Sequence, residues 1–362
     1  MTTSVSIDNV SKEFSGTTAV DSVSIEIGKG EFFTLLGSSG CGKTTLLRII
    51  AGFLPQTRGD IRFGDKIINN VPAHQRNTGM VFQNYAIFPH LSVFENVAYG
   101  LKVRGRSRGD IDREVRQMLD LVRLGHLSHR LPRELSGGQQ QRVVLARAMV
   151  IKPDVLLMDE PLSNLDTEMR LHLRSEIRAL QQQFGVTTIY VTHDQEEALL
   201  ISDRVAVMSA GKVVQLGPPR EIYLQPSTLF VASFIGDNNL LPAIVEETRP
   251  DGSLLARLPG GQALVAHAAP GQKLSHGEAC TVSLRPQDVD LKEGGSGGLE
   301  GVLEDIQFLG NTIKMYFSLG EGKPVVVTLP GRHDVTIPTV GSKCTLHPSA
   351  HAVTAFEGVV SQ

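Results

Sequence analysis

The chain has 362 residues, enough for about two domains with a sizeable core. Hydrophobic residues make up 41% and charged residues 20%, which excludes a fibrous or disordered chain. A formal net charge of −3 gives no overall basic field to attract nucleic acid, and three widely spaced cysteines form neither a disulfide framework nor a metal pattern. The start of the sequence shows no signal-peptide pattern, and no apolar run is long enough to span a bilayer, so we expect a cytoplasmic protein.

Two stretches of alternating polarity, residues 4–7 and 23–27, predict antiparallel strands with Phe14 in the turn region between them. Residues 31–36 then form an apolar run of buried-strand length, and residues 46–51 predict a helix.

A glycine loop lies between that strand and that helix. It reads Gly37-Ser38-Ser39-Gly40-Cys41-Gly42-Lys43-Thr44-Thr45 and fits the pattern G-x-x-x-x-G-K-[ST]. Glycines let the backbone turn with several N–H groups facing inward, and the start of a helix adds unpaired donors. We therefore predict that this loop binds a nucleoside triphosphate, with Lys43 on the β- and γ-phosphates and the Thr44 hydroxyl on Mg²⁺.

Alternating strands and helices follow. The patterns predict a hairpin over 60–68, a strand near 79–83, a helical region from 111 to about 150, a strand over 155–158, a helix over 167–184, a strand over 187–192 and a hairpin over 204–216. The strand at 155–158 is a continuous apolar run that ends at Asp159 and Glu160, as expected for a strand buried in a parallel sheet.

From about Asp237 the helical periodicity fades, and short strands with many glycines and prolines continue to Gln362. We therefore predict a first domain over 1–236, with a helical lobe at about 84–150, and a smaller all-β barrel domain over 237–362. A glycine-rich link, residues 292–301, lies within the second domain.

A second glycine motif reads Leu135-Ser136-Gly137-Gly138-Gln139. Ser136 is a good helix N-cap, and the two glycines leave N–H groups open to an anion. Alone, such a turn is most often a structural cap, so its meaning depends on the motifs around it.

Together these motifs resemble the nucleotide-binding subunits of ATP-binding-cassette (ABC) transporters, over essentially the whole chain. Residues 37–45 match the phosphate loop, Gln83 the Q-loop, 135–139 the family signature, 156–161 the Walker B strand, 163–166 the D-loop with Asp166, and His193 the switch histidine. The resemblance implies an α/β P-loop ATPase cassette with a mixed-sheet core, an antiparallel β subdomain and a helical lobe, followed by an OB-like (TOBE) β domain.

The resemblance also implies a homodimer with two composite ATP sites. Residues Ser136, Gly137, Gly138 and Gln139 of one subunit would then cover the γ-phosphate held by the other subunit. Thr44, Gln83 and Asp159 are the expected Mg²⁺ contacts. Glu160 is the expected base or orienter of the attacking water, and His193 is expected to contact the γ-phosphate.

Two residues give weaker signals. Phe14 stands where the family usually stacks an aromatic ring on adenine, and a core phenylalanine is the alternative. Cys41 lies in the phosphate loop near Lys43, where a thiolate is favoured, so its thiol is a candidate reactive group.

For function, we expect the energising subunit of a binding-protein-dependent importer at the cytoplasmic face of the membrane. Its partners would be two permease subunits and a solute-binding protein, with no nucleic acid, and its cargo would be a polyamine, ferric iron, a phosphonate or a sugar. A soluble ABC ATPase acting on nucleic acid or ribosomes is the alternative, which tandem cassettes or long coiled-coil insertions would favour.

Overall fold

The computed structural model describes residues 2–163, 165–292, 298–349 and 352–359. Asn164 of the predicted D-loop and most of the predicted glycine-rich link lie outside the described residues. The chain divides into two compact units, Met1–Pro219 and Arg220–Gln362. Among the described residues, no helix is both long and apolar enough to cross a membrane.

The first unit alternates strands and helices. Its strands are β1 (Val5–Phe14), β2 (Thr17–Ile27), β3 (Phe32–Gly37), β4 (Arg58–Phe63), β5 (Lys66–Ile67), β6 (Thr78–Val81), β7 (Val155–Asp159), β8 (Thr187–Thr192), β9 (Arg204–Ser209) and β10 (Lys212–Gly217). Its helices are α1 (Lys43–Ala51), α2 (Val93–Val103), α3 (Arg108–Leu121), α4 (Gly137–Val150), α5 (Thr167–Phe184) and α6 (Gln195–Ile201).

A six-stranded sheet in the order β10-β9-β3-β8-β7-β6 forms the centre of this unit, and its strands are parallel apart from β10. Successive residues of β7 face two different cores. Leu156 and Met158 pack with α2, α3, α4 and α5, whereas Val155 and Leu157 pack with α1 and the antiparallel sheet β2-β1-β4-β5. Burial on both faces explains why the sequence of β7 is apolar without alternation.

Helix α1 ends against a buried arginine. The Arg76 side chain, 6% exposed, donates hydrogen bonds to the carbonyl oxygens of Ile49 and Ile50 at 2.8 and 2.9 Å. It also donates to the carbonyl oxygens of Val71 and Asn69. The guanidinium therefore adds donors to carbonyl groups at the end of the helix, where Ile49 also accepts from the Gly52 N–H at 3.0 Å, and its positive charge lies favourably near the helix C-terminus.

The described part of the second unit contains α7 (Pro219–Leu224), whose first residue belongs to the first unit, and α8 (Leu229–Phe234), followed by ten strands. These are β11 (Asn239–Thr248), β12 (Ser253–Arg257), β13 (Ala263–Ala268), β14 (Ala279–Leu284), β15 (Val289–Lys292), β16 (Leu299–Phe308), β17 (Thr312–Ser318), β18 (Val325–Pro330), β19 (Lys343–Pro348) and β20 (Val353–Glu357). Five of them close a barrel, β11-β12-β13-β20-β14, and the others form a sheet in the order β15-β19-β16-β17-β18.

The two units meet in sequence at residues 219 and 220, whereas the sequence analysis drew the boundary at 236. The intervening residues form α7 and α8, which the structure groups with the second unit. Arg285 of that unit donates to the carbonyl oxygens of Tyr223 and Ile235, and its guanidinium lies 3.6 Å from the centre of the Tyr223 ring. Such contacts between distant residues leave no periodic signal in the sequence.

Arg76 provides a test of how α1 is held. We expect Arg76→Met to lower the free energy of unfolding by about 3 kcal/mol, because it removes the guanidinium donors from four carbonyl groups around the end of α1. The matched control is Arg62→Met, since the Arg62 side chain is 40% exposed and lies 4.0 Å from Asp60. Its effect should stay below about 0.5 kcal/mol. Urea unfolding of the full chain measures both variants, and equal losses would contradict this role of Arg76.

Candidate active site

Four loops that carry predicted site residues leave the same edge of the six-stranded sheet. The phosphate loop follows β3, Gln83 follows β6, Glu160 follows β7, and His193 follows β8. Because these strands are parallel, their carboxyl ends lie at one edge, which is where open α/β sheets bind ligands.

The phosphate loop is held in shape by its own lysine. The Lys43 side chain is 4% exposed, and its Nζ donates to the carbonyl oxygens of Gly37 and Ser38 at 2.7 and 2.8 Å. Ser39 and Gly40, at the tip of the loop, are exposed. The loop therefore presents its tip to solvent while the start of α1 lies directly beneath it, an arrangement suited to an anionic ligand.

Two glycines of the loop have no room for a side chain. A Cβ atom at Gly37 would lie 2.4 Å from the carbonyl oxygen of Met208, and one at Gly42 would lie 2.3 Å from that of Ala19. Gly42 also has φ of 107°, a conformation that L-residues with side chains avoid. The contact with Ala19 of β2 brings the β1–β2 hairpin against the start of α1.

Thr44 and Asp159 meet across the site. The Thr44 hydroxyl donates to Oδ1 of Asp159 at 2.9 Å, and Asp159 is 6% exposed. Burial raises the pKa of Asp159, because the ionised carboxylate loses hydration that the Thr44 hydrogen bond offsets only in part. The site thus holds a carboxylate that a cation would stabilise.

Glu160, Gln83 and His193 also come together. Oε2 of Glu160 lies 3.0 Å from Nδ1 of His193 and accepts from Nε2 of Gln83 at 3.4 Å. Glu160 has φ of 43°, and its N–H donates to the carbonyl oxygen of Val191 while its own carbonyl accepts from the Ser163 hydroxyl. This unusual backbone conformation is a constraint that such sites use to aim a side chain.

A buried polar network lies behind His193. Tyr190 and Thr192 both donate to Oε2 of Glu197, at 2.9 and 2.7 Å. Burial, and next the Glu197 charge, raise the pKa of Tyr190 well above its ordinary value. Arg174, whose side chain is 4% exposed, lies 3.6 Å from Glu197 and 3.1 Å from Asp194. These contacts fix the turn that presents His193.

The signature and D-loop residues cap two neighbouring helices, α4 and α5. Ser136 caps α4 in a capping box with Gln139, and Asp166 caps α5 by accepting from the Met169 N–H. Both caps line one cleft of 530 Å³. A Cβ atom at Gly138 would lie 2.5 Å from Sδ of Met169, so this glycine allows α4 and α5 to approach closely.

Phe14 and Cys41 have different surroundings. Phe14 ends β1 with 43% of its surface exposed, and the Lys12 ammonium lies 5.0 Å from its ring centre. The Phe14 ring is therefore not a core side chain. Cys41 is 5% exposed, and Lys43 Nζ lies 3.8 Å from its sulfur. The protein thus buries the group that the sequence marked as a candidate reactive thiol.

Two residues that no sequence motif marked, Asn96 and Arg147, hold the segment after Gln83. Asn96, fully buried, accepts from the Phe88 N–H and donates to the carbonyl oxygens of Phe88 and Leu91. Arg147 donates to the carbonyl oxygen of Ala86 at 2.9 Å, and burial lowers its pKa. Asn96 lies on the apolar face of α2, and a polar residue on such a face was the available signal.

Comparison with protein-family models agrees with this geometry. A family model described as ABC transporter matches residues 20–163, and one described as TOBE domain matches residues 282–356. The second match lies within the second unit, after α7 and α8.

Close relatives match nearly the whole chain. The Fe(3+) ions import ATP-binding protein of Brucella melitensis biotype 1 is 44% identical over 340 residues, covering 92% of this chain and 95% of its own length. The spermidine/putrescine import ATP-binding protein of Rubrobacter xylanophilus is 44% identical over 322 residues, covering 89% and 85%. That of Vibrio cholerae is 42% identical over 327 residues, covering 90% and 86%.

Two solved structures share the fold of part of the chain. CbiO1 of Clostridium perfringens, part of the ABC transporter complex cbiONQ, is 30% identical with a TM-score of 0.57, covering 60% of this chain and 89% of its own. A dimeric ATP-binding cassette in a post-hydrolysis state with ADP and Pi is 29% identical with a TM-score of 0.54, covering 60% and 99%.

The fold and the site define a P-loop ATPase of the cassette type with a C-terminal TOBE domain. The predicted fold class is thereby confirmed. The chain belongs to the ABC transporter family, among the ATP-binding proteins of import systems, and it is a transport-coupled ATPase. The comparisons support this interpretation and not the alternative of a nucleic-acid or ribosome ATPase.

The burial of Asp159 predicts a conflict between stability and function. Because its pKa is raised in the folded chain, its contribution to stability is present below the ordinary pKa of Asp and is lost as pH rises through the raised value. We expect Asp159→Asn to raise the free energy of unfolding at pH 7 without nucleotide by roughly 1 kcal/mol, and so to unfold at higher temperature than the wild type.

Thermal unfolding of the ligand-free protein at pH 7 and at pH 3 measures this effect. The difference in stability between the wild type and Asp159→Asn should be smaller at pH 3, where Asp159 is protonated. At pH 7, Mg²⁺ and ATP should stabilise the variant less than they stabilise the wild type. A ligand-free variant less stable than the wild type at pH 7 would contradict the destabilising effect of the buried Asp159 carboxylate.

Proposed function

We propose that two copies of this chain form a homodimer with two composite ATP sites, which drives a binding-protein-dependent importer. The observation that carries the proposal is the convergence of Gln83, Glu160 and His193 beside the phosphate loop. Phosphoryl transfer to water depends on positioning and charge stabilisation, and this cluster supplies a carboxylate held by two polar partners. Glu160 would orient or deprotonate the attacking water, and His193 would contact the γ-phosphate.

The residues at Thr44 and Asp159 suit Mg²⁺. A hydroxyl, a carboxylate and the amide oxygen of Gln83 are the hard oxygen ligands that this ion takes. Mg²⁺ is usually bound through one or two carboxylates together with the substrate phosphates. When bound, Mg²⁺ would neutralise charge that develops on the phosphates.

A dimer accounts for the position of the signature residues. Ser136 and Gly138 line a cleft with Asp166, and among the described contacts none joins them to the phosphate loop. The N-terminus of α4 offers unpaired N–H groups to an anion, and a second copy can bring it to the γ-phosphate. Closure of the dimer would then complete each site, so hydrolysis would depend on association.

The proposed partners follow from the relatives. We propose that the dimer docks on two membrane-spanning permease subunits at the cytoplasmic face and receives cargo through a solute-binding protein. Relatives named for Fe(3+) and for spermidine or putrescine support a small cationic cargo, either ferric iron or a polyamine.

Copurification and uptake test this assembly. The tagged chain, solubilised from its native membrane in mild detergent, should retain membrane permease subunits. A strain lacking the chain should lose uptake of labelled Fe³⁺ or labelled spermidine, and expression of the intact chain should restore it. Copurified RNA or DNA without permease subunits would overturn the importer proposal, and intact uptake of both cargoes would overturn the cargo class.

Glu160→Gln tests the catalytic assignment. We expect kcat for ATP hydrolysis to fall at least about 100-fold, because the amide neither accepts a proton nor holds the water as a carboxylate does. ATP should still bind within about twofold of the wild-type affinity, and a dimer should accumulate. Phosphate release and light scattering after size-exclusion chromatography measure these effects.

The matched control is Glu114→Gln, which removes a carboxylate paired with Lys152 at 3.6 Å, away from the four strand ends. Its turnover should equal that of the wild type. Near-normal hydrolysis by Glu160→Gln would remove Glu160 from the proposed role.

Phe14→Ala tests adenine stacking. The exposed ring lies on the hairpin that touches the start of α1, and stacking on a base is worth about 1–3 kcal/mol. We therefore expect ATP affinity to fall about 5- to 150-fold, whereas Phe14→Tyr should keep it because the ring remains. Isothermal titration measures both, and an unchanged affinity for Phe14→Ala would exclude stacking.

A further inference from the structure

One side chain of α5 connects two loops of the active site. Arg170 lies in the first turns of α5, directly after the D-loop. Its Nη2 donates to the carbonyl oxygen of Leu165 at 3.0 Å, and its Nη1 donates to Oδ2 of Asp194 at 3.2 Å. The guanidinium thus links the backbone of the D-loop to the residue that follows His193.

Asp194 controls the position of His193. Its N–H donates to the Thr192 hydroxyl at 2.9 Å, and its Oδ1 accepts from the Glu197 N–H at 3.0 Å as the N-cap of α6. The remaining oxygen, Oδ2, accepts hydrogen bonds from Arg170 and Arg174 of α5. Asp194 directly follows His193 in the chain and is fixed by these hydrogen bonds. A displacement of Asp194 therefore also moves the His193 imidazole, which contacts Glu160.

Arg174 contributes differently. It lies one turn further along α5 and contacts Asp194, Glu196 and Glu197, all of which follow His193. It anchors that turn, whereas Arg170 reaches both the turn and the D-loop. The side chains of Arg170 and Asp194 are 27% and 21% exposed, so solvent weakens their attraction less than it weakens that of a surface pair.

We propose that Arg170 is a positioning residue that couples the D-loop to His193. The proposal rests on the proposed function, in which the D-loop lies at the dimer interface and His193 acts in hydrolysis. The planar guanidinium donates in two fixed directions, so a shift of the Leu165 carbonyl either moves Asp194 or breaks one hydrogen bond. Dimer closure at the D-loop thereby sets the orientation of His193, and a displacement of about 1 Å is enough to change turnover strongly.

The test uses the full-length protein and Arg170→Ala. We expect kcat to fall at least about tenfold, with ATP affinity within about twofold and a similar unfolding temperature. The control is Arg178→Ala, which removes an arginine of the same helix that pairs with Asp203, away from both loops. Its kcat should match the wild type. An unchanged kcat in Arg170→Ala, or an equal loss in the control, would overturn the proposal.

A double-mutant cycle separates coupling from general packing. If Arg170 acts through His193, Arg170→Ala should cost no further activity in a His193→Ala background, measured as single-turnover phosphate release. The same fold loss in both backgrounds would overturn the coupling. Should Arg170→Ala fail to fold, Arg170→Gln carries the same cycle, since a single amide cannot span both acceptors.

The cycle also distinguishes this proposal from the proposed function. Wild-type turnover by His193→Ala would remove His193 from hydrolysis and the coupling with it. A strong loss in His193→Ala together with an independent loss from Arg170→Ala would overturn the coupling alone and leave the proposed function standing.

Discussion

The register of three parallel strands is the constraint on which the candidate site depends. Leu36 of β3 pairs with Thr192 of β8, and Asp159 of β7 pairs with Val191, so the loops after these strands leave the sheet side by side. A slip of one residue would shift a strand by about 3.3 Å and turn its side chains to the opposite face. Main-chain hydrogen bonding between apolar strands therefore determines the distances between groups that carry the chemistry, and the fully buried sheet makes such a slip costly.

Much of the first unit could be predicted, because its signals are local. A continuous apolar run ends at Asp159, and the strand predicted over 187–192 is followed by His193; the observed strands β7 and β8 end at Asp159 and Thr192. The helix predicted over 167–184 agrees with α5, which begins at an Asp cap and ends before a glycine. The glycine loop could be predicted because its short pattern places glycine where a side chain would clash, as at Gly37 and Gly42, which face backbone oxygens. The family match then confirmed the fold and the ATPase activity, while the roles of the individual site residues stay proposals.

The features that could not be predicted depend on contacts between residues far apart in the sequence, which leave no local pattern. Arg170 and Asp194 are 24 residues apart, and their contact requires that α5 and the turn after β8 lie side by side. The same holds for Arg76 beneath α1 and for Arg285 against Tyr223. Arginine is usually a surface residue, so the sequence alone does not reveal which arginine is buried and links two distant segments. The placement of α7 and α8 in the second unit could not be predicted for the same reason, because it depends on contacts between residues far apart in the sequence.

The barrel of the second unit is completed by a strand from far along the chain. β20 pairs parallel to β13 and antiparallel to β14, so the barrel cannot close until residues 353–357 have been synthesised. The strands of the first unit are all present by Gly217, about 140 residues earlier, which corresponds to roughly ten seconds of ribosomal synthesis. The first unit thus has time to fold while the second unit is still being translated, and a ribosome that stops shortly before residue 353 releases a chain whose barrel lacks its final strand.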